Sequence, residues 1–243
     1  MPFCKVNDIK LYYEDYGAED ENPLVFIHGG FVRMHKDING SKMWKPYVDR
    51  FKGKRRVIVF DLRGFGQSDK PRGEYSIRQF SEDLFSLMKN LNVKKAIVAG
   101  ESLGGMIALK FALDHQEMVE KLVLISTTAT KLSFVIRMLM PIYARIIILR
   151  KKFPETLAAP RHVIISMFSA VRKFDIKSEL FKIQVPTLII HGSNDKWIAL
   201  SQVEYLKEHI LNSEMVVLQG SGHALTIETP EKTCETLEKF LSN

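Results

Sequence analysis

Cysteine is scarce in this chain, and the two present, Cys4 and Cys234, lie near opposite ends with no metal-ligand or redox spacing. That pattern excludes a disulfide framework and a zinc-binding module, so a reducing compartment, the cytoplasm, is the expected setting. No secretory leader is expected either. The opening MPFCKVNDIKLYYEDYG has no basic stretch followed by an apolar one. No apolar run is long and clean enough to cross a membrane. The most apolar stretch, Leu132 to Leu149, is interrupted by Arg137, Pro141 and Arg145, whereas a span wants about twenty apolar residues and pays heavily for central charge. Acidic residues are nearly absent from one region. Between Thr130 and Lys182 eleven Lys or Arg face only Glu155, Asp175 and Glu179, so that segment carries the whole of the formal net charge of +7. Basicity confined in this way argues against a nucleic-acid partner. The glycines of His28-Gly29-Gly30 and Asp61-Leu62-Arg63-Gly64 do not match a phosphate-binding spacing. Nothing in the sequence indicates a metal or an organic cofactor.

What is present is an ordinary globular composition, 243 residues with 46% hydrophobic and 26% charged, which suits one folded unit with an insertion. Short apolar runs recur, at Ile9 to Tyr16, Pro23 to Ile27, Arg56 to Phe60, the stretch opening at Ala96, Lys121 to Ile125, Val185 to Ile190 and Met215 to Leu218. Helical patterns lie between several of them. Ser76 to Leu91 places Ile77, Phe80, Leu84, Leu87, Met88 and Leu91 three and four apart behind a serine cap. Alternation of this kind predicts an α/β fold with a mostly parallel sheet and helices on both faces. The alternation breaks between residues 130 and 182. That segment reads as a helical lid inserted after the Lys121 to Ile125 strand, leaving 1–129 and 183–243 as the core.

The stretch Gly100-Glu101-Ser102-Leu103-Gly104-Gly105 follows a strand and opens a helix. G-x-S-x-G in that context is a nucleophile elbow, a strained turn that lifts the serine clear of its neighbours. An unassisted serine is a weak nucleophile near neutral pH, so it needs a base and an acid to orient the base. Asp195 and His223 each stand in a loop just after a different predicted strand, which gives the order Ser102, Asp195, His223. No carboxylate follows the Lys121 to Ile125 strand closely, and Glu228 is the distant second choice for the acid. Backbone N–H groups of Gly30 and Leu103 are the expected oxyanion donors, with Phe31 the runner-up to Gly30. Phe31 and Met138 are candidate substrate contacts. His35 reads as a solvated loop histidine, and His28 and His191 as core hydrogen-bonding groups. Asp61 and Arg63 are expected to bridge across a tight turn. Glu101 either strengthens the base through space or bridges to a neighbouring helix, and the second reading is favoured.

Taken together, HGG at His28, DLRGFGQSD at Asp61, GESLGG at Gly100, HGSND at His191 and GSGHALTIETPE at Gly220 resemble the α/β-hydrolase superfamily. The resemblance is to its lidded carboxylesterase, lysophospholipase-like and monoacylglycerol-lipase-like branch. It implies an eight-stranded sheet with the lid after strand six. It also implies Ser102 as nucleophile, His223 as general base and then acid, and Asp195 as orienter. The implied substrate is a small-molecule ester with an apolar acyl group. A lactone, a carbon–carbon bond or a peroxide would suit the same triad, and a ligand-sensing protein on this scaffold is the reading from another class. The basic lid admits weak peripheral contact with anionic lipid, against the plainer reading of a solvated basic face.

Overall fold

Apolar runs without polar alternation make strands covered on both faces. β3 (Leu24–Ile27), β4 (Val57–Phe60) and β5 (Ala96–Glu101) are accordingly buried at every position. The computed structural model describes residues 2–17, 22–30, 40–132, 136, 138–139, 142 and 159–242. It adds β1 (Phe3–Val6), β2 (Ile9–Tyr16), β6 (Val119–Ile125), β7 (Thr187–Gly192) and β8 (Ser213–Leu218). All eight strands form one sheet in the order β1-β2-β4-β3-β5-β6-β7-β8. β2 runs antiparallel to β1 and β4, and every later pairing is parallel. β1 has no counterpart among the strands read from the sequence. Four residues at a half-exposed edge leave too little pattern to see.

Parallel strands need crossovers, and the crossovers supply helices to both faces. On one face α1 (Lys45–Phe51) and α7 (Pro230–Ser242) pack with Phe26, Trp44, Val123 and Ile190. On the other α2 (Ile77–Asn90), α3 (Leu103–Asp114) and α5 (Leu200–His209) cover Val25, Val98 and Leu124. The Ser76 hydroxyl caps α2 by accepting the Gln79 N–H at 3.1 Å. Pro230 opens α7, where a missing N–H costs nothing.

The insertion after β6 contributes α4 (Arg161–Lys173). Its Val163, Met167, Phe168 and Val171 are buried and join the same apolar cluster as α2 and α3, while Arg172 and Lys173 are exposed. Arg137, Arg145 and the run Arg150, Lys151, Lys152 lie outside the described residues, as do His35 and Phe31. No helix among the described residues is long and apolar enough to cross a membrane.

One expectation about the loop after β4 is corrected. Asp61 and Arg63 do not pair with each other. The Arg63 guanidinium is buried and needs a fork-shaped acceptor, which the buried Asp83 of α2 provides, with one bond of 2.7 Å; Asp8 adds a contact at 3.2 Å. The Asp61 carboxylate is occupied by backbone, accepting the N–H of Ser41 at 2.6 Å and of Gln67 at 2.7 Å. Both residues hold the loop, through different partners. His28 behaves as expected of a core histidine: Nε2 accepts the Leu62 N–H at 3.0 Å and Nδ1 lies 2.8 Å from the Gly29 carbonyl.

Candidate active site

Ligands of open α/β sheets bind beyond the carboxyl ends of the strands, and three strand ends meet here. Ser102 follows β5, Asp195 follows β7 and His223 follows β8. Ser102 has φ +54° and ψ −113°, a conformation a serine adopts only when its surroundings fix it. The turn is held on both sides, since the Ser102 N–H donates to the Ile125 carbonyl at 2.9 Å and the Ser102 carbonyl accepts the Thr127 hydroxyl at 2.7 Å. Glycines permit the approach of strand and helix. A Cβ on Gly100 would strike the Gly104 carbonyl, and one on Gly104 would strike that of Ile27.

The polar chain is continuous. His223 Nε2 lies 3.0 Å from Ser102 Oγ, and His223 Nδ1 lies 2.7 Å from Asp195 Oδ2. The other oxygen of Asp195 accepts the N–H groups of Trp197 at 2.8 Å and Ile198 at 3.0 Å. Burial works against charge on Asp195, but the hydrogen bond and charge of His223 and the two amides outweigh it and hold the carboxyl below its ordinary range. With Asp195 ionised, the Nδ1 proton is fixed toward it and Nε2 is free to accept from the serine. His191 sits behind, its Nδ1 3.7 Å from Asp195 Oδ2, and burial lowers its affinity for a proton.

Gly30 and Leu103 line a cavity of about 40 Å³ with Ser102, Met106, Leu132, Met167, Val171, Trp197, Ile198 and His223. Leu103 is the first residue of α3, so its N–H has no acceptor inside the helix. Gly30 and Leu103 thus line the same cavity as the serine, in a setting that is apolar apart from Ser102 and His223. Met167 of the insertion closes over them, so near that a Cβ on Gly30 would overlap its sulfur. Met138 is not among the lining residues and stands 60% exposed, so the structure does not bring it to the serine. Phe31 lies outside the described residues.

Sequence reasoning gave Glu228 a different role, as second-choice acid, and missed Thr127 and Met167. The carboxylate of Glu228, in the short helix α6 (Leu225–Glu228), accepts the N–H of Gly222 at 2.6 Å and of Ala224 at 3.3 Å, the amides on either side of His223. Its position five residues beyond the histidine, inside TIETPE, was the only available signal. Thr127 and Met167 had none, because each acts by meeting a segment far away in the chain. Glu101 bridges to the neighbouring helix as favoured, accepting the N–H of Thr226 at 3.1 Å and its hydroxyl at 2.7 Å. Burial pushes the Glu101 carboxyl up to about 7, against the opposing pull of the Thr226 donors and of His223.

A mostly parallel sheet with a serine, an aspartate and a histidine presented from the ends of β5, β7 and β8 defines a serine hydrolase of the α/β-hydrolase fold. The comparisons agree with that class. The family described as alpha/beta hydrolase fold matches residues 22–146, and the one described as serine hydrolase (FSH1) matches residues 96–233. The AB hydrolase superfamily protein YisY of Bacillus subtilis (strain 168) is 30% identical over 96% of this chain and 95% of its own. The chain belongs to the α/β-hydrolase family. Among solved structures, a thermophilic esterase from Thermogutta terrifontis superposes with a TM-score of 0.82 at 25% identity, covering 96% of this chain and 93% of that one. The enol-lactonase from Burkholderia xenovorans LB400 gives 0.83 at 25% identity, with both chains covered completely.

Proposed function

We propose that this protein hydrolyses carboxylic esters with an apolar acyl group through an acyl-serine intermediate. The observation that carries the reading is the unbroken chain from Ser102 Oγ through His223 to Asp195, at 3.0 and 2.7 Å, in a cavity that Gly30 and Leu103 also line. In this reading Ser102 Oγ attacks the ester carbonyl while His223 Nε2 takes its proton. The carbonyl oxygen gains negative charge and is met by the amides of Gly30 and Leu103, the second of which carries the positive end of the α3 dipole. Collapse expels the alcohol, which receives the proton from His223. Water then enters, is deprotonated by the same nitrogen and releases the acid. Asp195 keeps the imidazole in the tautomer both steps require. Apolar Met106, Leu132, Met167 and Val171 around the serine suit an apolar acyl chain.

The test is initial-rate hydrolysis of p-nitrophenyl esters from acetyl to palmitoyl, run beside Ser102→Ala. Losing the nucleophile should cost on the order of 10⁶-fold in turnover. Retained activity in that variant would overturn the reading. The enol-lactonase resemblance supports a second substrate class, because a lactone is a cyclic ester opened by the same steps. Its mark is ring opening by the wild-type protein with weak action on open-chain esters.

A further inference from the structure

The serine hydrolase reading uses one acid, Asp195, yet a second carboxyl is buried next to the nucleophile and bonded to the short helix that follows the same histidine. Glu101 immediately precedes the nucleophile and is almost fully buried at the end of β5. Both of its bonds go to Thr226, three residues beyond His223 and inside α6. The N-cap of α6 is Ala224, which has no side chain to serve the first amides. Glu101 supplies that acceptor from another strand, so the elbow and the histidine loop are joined directly. The titratable groups facing Glu101 are His223, Glu228 of α6 and the phenol of Tyr47 on α1, which burial holds neutral. Of these His223 is the one whose charge changes during acyl transfer.

We propose that Glu101 is a positioning residue for His223, holding the histidine loop against the elbow through Thr226 and, once ionised, supplying a second buried negative charge that favours the protonated imidazole during attack. The inference rests on the serine hydrolase reading. Reach and charge can be separated by substitution. Glu101→Gln keeps an acceptor for the Thr226 N–H and removes the charge, whereas Glu101→Asp keeps the charge and is too short to hold Thr226.

The experiment measures the rate at which an alkyl fluorophosphonate labels Ser102 as a function of pH, by intact mass, in wild type and both variants, with Ser102→Ala as the blank. This probe needs the same base and no knowledge of the substrate. For Glu101→Gln we expect the rate near pH 8 to fall roughly 3- to 10-fold and the acid limb to move to lower pH, because the negative charge that Glu101 gains as it ionises around pH 7 is then missing. For Glu101→Asp we expect a similar loss of rate with a smaller displacement of the limb. Acid limbs that superimpose in all three proteins would overturn the proposal and leave Glu101 a purely structural link. Should Glu101→Gln fail to fold, Thr226→Val substitutes for it. Removing the hydroxyl makes Glu101 harder to ionise, so the limb should move in the same direction by a smaller amount, and an unmoved limb overturns the proposal. A wild-type protein that is not labelled at Ser102 would sink the serine hydrolase reading itself. Labelling at Ser102 with unmoved limbs would sink only the role of Glu101.

Discussion

The loop after β7 and the end of β5 each bury a carboxyl group tied to the histidine loop, one to His223 and one to Thr226, and the two surroundings drive those groups in opposite directions. Asp195 receives two backbone amides on one oxygen and the imidazole at 2.7 Å on the other, and is held below its ordinary range. Glu101 receives two donors from a single threonine and no cation in direct contact, and is pushed up to about 7. Burial penalises charge at both places. What differs is the supply of partners that favour the ionised form, so depth in the fold by itself says little about which carboxyl is the anion.

The largest effect should come from the side that is always charged. Asp195→Asn keeps the shape of the loop but presents a neutral partner to Nδ1, which lets the ring adopt the wrong tautomer. Turnover should fall by roughly 10⁴-fold with little change in KM, as steady-state kinetics would show. A loss below about tenfold would mean that Glu101 or another group carries the orienting role.

The next contrast is in stability. A carboxyl that holds its proton up to about 7 when folded, against an ordinary value near 4.3 when unfolded, binds more protons in the native state between those limits. Native stability therefore drops as pH rises through that window, and Glu101→Gln lacks the drop. Chemical unfolding should show the variant gaining on wild type by on the order of 2–3 kcal/mol between about pH 4.5 and 7. Asp195 has the opposite sign. Its contribution is present above the ordinary aspartate value and lost as pH falls below it, so Asp195→Asn should separate from wild type with a slope only in acid. Parallel curves for Glu101→Gln and wild type would remove the contrast.

The smallest effect belongs to the third carboxylate of the histidine loop, the exposed Glu228. Glu228→Gln keeps one acceptor for the amides of Gly222 and Ala224, so kcat should fall only about 2- to 5-fold, with no displacement of the pH profile. A displaced profile would place Glu228 with Glu101 as an electrostatic partner.

The sequence was legible where function is carried by short patterns at strand ends. GESLGG, the aspartate of HGSND and the histidine of GSGH each sit where local turn chemistry puts a side chain at the lip of the sheet, and the structure unites them. It was illegible where a role depends on which distant segment arrives. Arg63 stands two residues from Asp61, and that proximity suggested a bridge. The fold instead delivers Asp83 from α2, while both oxygens of Asp61 are taken by the backbone N–H groups of Ser41 and Gln67. Met167 reaches Gly30 from the insertion, whose amphipathic pattern marks a face to be covered without saying what lies beneath it. Met138 belongs to the same inserted segment and stands exposed.

The hydrogen bond from Ser102 to His223 joins residues 121 apart in the chain. Between them in the chain lie β6, β7 and β8 with their crossovers, and the whole inserted segment. Closing so long a loop is slow and comes late, since its entropy is spent before its contacts are gained. Reactivity of Ser102 is therefore a reporter of completed assembly. A fragment ending before residue 223 would carry the nucleophile without its base and remain inert. An unfinished chain is thereby kept from chemistry by topology alone.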